Sequence, residues 1–70
     1  METVNATPKQ RATAELAELK TKVSGLANFL YKPAFYALSK LQQNLLLVQL
    51  KSMQAYETTL ELRLENWEVE

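Results

Sequence analysis

Phe35-x2-Leu38-Ser39-x2-Gln42-x2-Leu45-Leu46-x2-Gln49-x3-Met53-x2-Tyr56-x3-Leu60-x2-Arg63-Leu64 is the stretch on which the architecture turns. Its apolar residues recur at steps of three and four, the signature of an amphipathic helix. They cover more than one face, however. Leu41, Leu45, Val48, Ser52, Ala55, Thr59 and Leu62 form one seam, and Leu46, Leu50, Met53, Leu60, Leu64 and Trp67 form another. A helix with one whole side in water does not need two seams. One seam can pack on a neighbour in the same chain, and the other calls for a second subunit.

Upstream, Thr7, Pro8 and Gln10 give a helix start: a capping hydroxyl, a proline at the first helical position and a glutamine three residues after the cap. Ala12, Leu16, Leu19, Val23, Leu26 and Leu30 follow at alternating four- and three-residue steps, a heptad seam. Lys32 precedes Pro33 and so avoids helical backbone. Ser39 with Gln42 makes a second capping box before the long helix. The expectation is an all-α fold: a two-helix antiparallel hairpin with a short helical turn at the corner, assembled as a homo-oligomeric helical bundle. Residues 1–6 are expected to be a disordered N-terminus. Residues 7–70 make one helical-hairpin domain, with a helix over 7–31, a turn over 32–39 and a helix over 40–67.

Composition narrows the function. The 70 residues contain no Cys and no His, and all eight acids are Glu. That removes disulfides, histidine acid–base catalysis, Ser-His-Asp triads, His/Cys zinc sites and Asp-rich calcium loops. The chain is read as a non-enzyme with no metal and no cofactor. Net charge is zero but uneven: residues 1–51 hold seven Lys/Arg against three Glu (+4), and residues 52–70 hold one Arg against five Glu (−4). Folding back would bring Glu65 and Glu68 towards Lys9 and Arg11. A chain without net positive charge is not expected to bind bulk DNA. No apolar run approaches the roughly 20 residues of a membrane span, so the expected location is cytosolic.

Several side chains have a plain and a sharper reading. Gly25, the only glycine, suits close approach of another backbone, or room for a ligand. Tyr31, Lys32 and Tyr36 cluster at the corner, with Asn28 one turn before Lys32. They serve hinge packing, or they form a ligand edge in which a ring stacks on a base and lysine meets a phosphate. Arg63 is an ion-pair partner, or a bidentate phosphate clamp. Lys9 and Arg11 are surface charges, or they favour an anion at the helix start. Met53 and Tyr56 fall within a seam and are expected in the core. Trp67 is an end plug or a subunit contact.

The series Phe35, Leu38-Ser39, Gln42, Leu45-Leu46, Gln49, Met53, Tyr56 and Leu60-x2-Arg63 resembles phage-encoded helical-hairpin nucleotide sponges, the anti-CBASS and anti-Thoeris inhibitors. The resemblance covers about half the chain. It implies a homo-oligomer, often a hexamer, in the host cytoplasm. It also implies ligand pockets between subunits, and a cyclic oligonucleotide or cyclic ADP-ribose-type ligand that is held and not cleaved. Arg63 is the polar residue it carries over, with Lys32, Tyr31, Tyr36, Asn28, Lys9 and Arg11 as further candidate ligand-binding residues. Some members place a tyrosine in the first helix for base stacking; here the first tyrosine, Tyr31, lies at the far end of that helix. Two readings from other classes compete: a protein-binding inhibitor or adaptor that uses an exposed apolar helix face, and a small structural phage protein.

Overall fold

The computed structural model describes residues 6–68, and it is all-helical. The expected disordered N-terminus, apart from Ala6, lies outside the described residues. Helix α1 runs Pro8–Phe29, α2 Pro33–Tyr36 and α3 Lys40–Glu65. The two long helices pack against each other. At 1.5 Å per residue α1 is about 33 Å long, too long for the partly helical corner of residues 30–39 to retrace. So α3 runs back antiparallel to α1.

Local chemistry sets the ends. The Gln10 N–H donates to the Thr7 hydroxyl at 3.1 Å, and the Thr7 N–H donates to the Gln10 side-chain oxygen at 2.9 Å. This reciprocal pair satisfies two donors that a bare helix start would leave open. At Ser39 only half of the expected box forms. Ser39 accepts from the Gln42 N–H at 3.1 Å, while the side chain of Gln43, not of Gln42, caps the Leu38 carbonyl at 2.9 Å.

Both long helices stop two residues short of their expected ends. Beyond Phe29, the Tyr31 and Lys32 N–H groups donate to the carbonyls of Asn28 and Phe29, three residues back. This tightens the turn before Lys32 takes the extended backbone (φ −96°, ψ 149°) that Pro33 imposes. In α3, both the backbone and side-chain nitrogens of Asn66 donate to the Leu62 carbonyl, at 3.1 and 2.8 Å. These two hydrogen bonds close the last turn, and the helix ends at Glu65 where Asn66 leaves helical backbone (φ −112°, ψ 29°).

The core is a single seam on each long helix. Ala12 and Leu19 of α1 are buried, and Leu16, Val23 and Leu26 are half-buried. On α3 the inward seam is Leu46, Leu50, Met53, Leu60 and Leu64, with Leu50 and Leu60 buried. Phe35 of α2 plugs the corner, 5% exposed, in edge-to-face contact with Phe29 at 6.1 Å and Tyr36 at 5.1 Å. The other α3 seam is bare: Leu41, Leu45, Val48 and Leu62 are 50–65% exposed.

Three expectations are corrected. Tyr56 is not core but 41% exposed at the edge of the helix pair. Among the described residues Glu65 and Glu68 form no ion pair with Lys9 or Arg11; the pair between the long helices is Lys20–Glu61 at 3.2 Å. It is exposed and contributes little. Among the described residues no other backbone approaches Gly25, where an added Cβ meets nothing within 4 Å. Gly25→Ala therefore relieves the glycine penalty without a clash and should raise the unfolding free energy by about 1 kcal/mol. Urea denaturation measures this, and a loss of stability would show that another body sits against that turn.

Candidate functional site

Antiparallel pairing sorts the seven candidate ligand-binding residues into two groups. Asn28, Tyr31, Lys32 and Tyr36 gather at the corner; Lys9, Arg11 and Arg63 lie at the open end. From the start of α3 to Arg63 is about 35 Å along the helix, so one chain does not bring the two groups into one pocket.

At the corner the four side chains are exposed, Tyr31 at 85% and Tyr36 at 66%. Tyr36 is steadied from below by Phe35. The carbonyl of Asn28 accepts from Tyr31, and its side chain is exposed. These are rings and a cation held on a rigid turn with no enclosing wall.

The open end has a shallow depression. Thr59, Leu62, Arg63, Asn66, Trp67 and Glu68 line a shallow hollow of about 500 Å³ that is broadly open to solvent. The Arg63 guanidinium carbon sits 5.8 Å from the centre of the Trp67 ring, within cation–π range. Trp67 lies just beyond the end of α3, where the chain leaving the helix at Asn66 brings the ring to Arg63. The indole Nε1 of Trp67 is buried and has no acceptor among the described residues, a state that native structures usually relieve. Sequence reasoning singled out Arg63 and Trp67 separately but missed their pairing, and it missed Thr59 and Asn66 as site residues. Lys9 stands exposed in the first turn of α1, and Arg11 donates from its guanidinium to the Ala6 carbonyl at 2.8 Å. That bond draws Arg11 back along its own helix.

A smaller hollow of about 230 Å³ lies between the helices, lined by Glu15, Glu18, Leu19, Lys22 and Tyr56. There the Tyr56 hydroxyl donates to the Glu15 carboxylate. That hydrogen bond, with lesser help from burial and the glutamate's charge, holds the Tyr56 hydroxyl above the ordinary tyrosine value of 10.0. The folded state thus favours the protonated phenol. Its contribution to stability is complete below pH 10 and is lost as pH rises through the higher folded-state value. Alkaline titration of stability should show this loss, and Tyr56→Phe should remove it. An unchanged alkaline limb in the variant would contradict the pairing.

Among the described residues no group of acidic side chains could hold a metal ion, and no helix is long and apolar enough to cross a membrane. The two ends of the hairpin present cations, aromatic faces and amides, with the Glu68 carboxylate beside Arg63 in the hollow's lining. A family model described as Sequestin matches residues 6–66. The match fits the phage cyclic-nucleotide-sequestering group that the Phe35–Arg63 series resembles. No curated protein and no solved structure matches the chain.

Proposed function

The chain belongs to the Sequestin family, and we propose that it is a phage anti-defence protein that binds a cyclic nucleotide immune signal and holds it uncleaved in the host cytoplasm. The family name implies sequestration and not catalysis. The observation that carries the ligand class is the Arg63–Trp67 pair beside its hollow. A guanidinium suits a phosphodiester through charge-assisted, paired hydrogen bonds. A planar indole supplies a stacking face for a base, and stacking is available to any base. A cyclic nucleotide presents phosphates, flat bases and acceptors within one compact body.

Holding the signal requires no acid or base, only rigid walls and affinity, because sequestration works by mass action. A homo-oligomer fits this role. The bare α3 seam gives each copy a face to share, and a two-fold interface repeats each half-site for the two phosphates of a cyclic dinucleotide. The other half of such a site is available in the exposed corner rings and Lys32.

Isothermal calorimetry of the purified protein against cyclic dinucleotides, cyclic trinucleotides and cyclic ADP-ribose derivatives tests the reading. Binding of at least one at micromolar protein is expected, with the ligand recovered chemically intact after heat release. No binding across the panel, or a cleaved product, contradicts it.

A further inference from the structure

We propose that the hollow at the open end selects a guanine base, and that Glu68 is the residue that reads it. Thr59, Arg63, Asn66, Trp67 and Glu68 all line the hollow, but they differ in what they have left to offer a ligand. The Thr59 hydroxyl donates its one proton to the Ala55 carbonyl at 2.9 Å, so its oxygen can only accept. The Asn66 side-chain nitrogen donates to the Leu62 carbonyl at 2.8 Å. That bond anchors the amide by its donor end and leaves its oxygen to accept. The ionised Glu68 carboxylate accepts and does not donate. The Trp67 N–H is buried. Arg63 is therefore the main donor, and the rest of the polar lining is made of acceptors.

Such a lining suits a ligand with two different sides. A phosphate meets Arg63, but Glu68 repels it. The opposite side of the ligand must bring N–H groups to the acceptors. Ribose hydroxyls donate in any nucleotide and so do not discriminate. The bases do. Guanine carries two adjacent donors, the ring N1–H and the exocyclic amino group, spaced to meet the two oxygens of one carboxylate. Adenine and cytosine set one amino group beside a bare ring nitrogen, whose lone pair would face the carboxylate. The single N–H of uracil lies between two carbonyls. Trp67 can stack on any base and Arg63 can hold any phosphate, so neither tells one nucleotide from another. The inference rests on the nucleotide-binding role proposed above and adds the identity of the base.

Calorimetry with cyclic di-GMP and cyclic di-AMP tests it, because the two share a ring and its phosphate charge and differ only in the base. The native chain should bind cyclic di-GMP about tenfold more tightly, the worth of one net hydrogen bond. Glu68→Gln removes the charge and exchanges an acceptor oxygen for a donor. It should weaken cyclic di-GMP, strengthen cyclic di-AMP and bring the two within about twofold of each other. Glu65→Gln removes an equal charge from the exposed last turn of α3, outside the hollow's lining, and should leave the ratio as it was. Circular dichroism checks that both variants keep the helices. An equal gain for both ligands in Glu68→Gln would mean that the carboxylate acts through charge alone, and would overturn the inference. Equal affinities in the native chain, or binding confined to an adenine ligand such as cyclic ADP-ribose, would also overturn it and leave the sequestration reading standing. No binding by any member of the wider panel would overturn both.

Discussion

Leu60→Ala should lower the unfolding free energy by about 3 kcal/mol, the middle of the range for removing a buried leucine side chain. Among the described residues Leu60 is the one side chain with no exposure at all, 0%. It sits in the only seam that joins α1 to α3, on a turn that has half-buried Glu57 and Leu64 as its nearest seam neighbours. A chain of this length holds roughly 3–10 kcal/mol in all, so this one truncation removes a large share. Urea denaturation at fixed protein concentration measures it, since assembly makes stability concentration-dependent. Val48→Ala is the informative contrast. Val48 is 59% exposed within the chain, so its truncation should weaken assembly while leaving the hairpin's own packing intact. A loss well under 1 kcal/mol at Leu60 would mean that the α1–α3 seam is not the core.

Arg63→Ala should weaken cyclic-nucleotide affinity by about 2 kcal/mol, roughly thirty-fold, with the oligomer preserved. The two effects separate because Arg63 is exposed and contacts Trp67 from the solvent side. Removing it creates no cavity and strands no buried charge. What is lost is the guanidinium fork and its charge beside the hollow. Arg63→Lys keeps the charge but not the planar pair of donors, so it should recover only part of the affinity. Calorimetry against the best-binding member of the nucleotide panel reads both variants. Unchanged affinity in Arg63→Ala would move the ligand away from the open end.

The helices were legible because their signals are local. Thr7-Pro8-x-Gln10 and Ser39 cap within one turn, Lys32-Pro33 forces extended backbone, and the three/four spacing of leucines is visible in the letters themselves. The division of labour between the two α3 seams was not legible. Both are apolar enough to pack, and only the angle at which α1 arrives selects Leu50 and Leu60 over Leu45 and Val48. The early end of α3 was missed because it rests on Asn66 leaving helical backbone, which spacing does not announce. Tyr56 read as core because its position follows the seam. Its hydroxyl, needing a partner, instead reaches sideways to Glu15.

The site was legible as residue types and not as an arrangement. A sequence with Arg, Lys and Tyr but no Cys, His or Asp points to binding. That the corner and the open end lie at opposite ends of the hairpin follows only once the chain folds back. The Arg63–Trp67 pair and the hollow beside it both depend on the helix ending at Glu65, which spacing does not announce.

Native mass spectrometry of the purified protein puts the whole account at risk in one spectrum. The account predicts species at multiples of the 8.0 kDa chain, an even number of copies in each, and added cyclic nucleotide retained at its intact mass. A bare 8.0 kDa species that persists at micromolar concentration and takes up no nucleotide would contradict it.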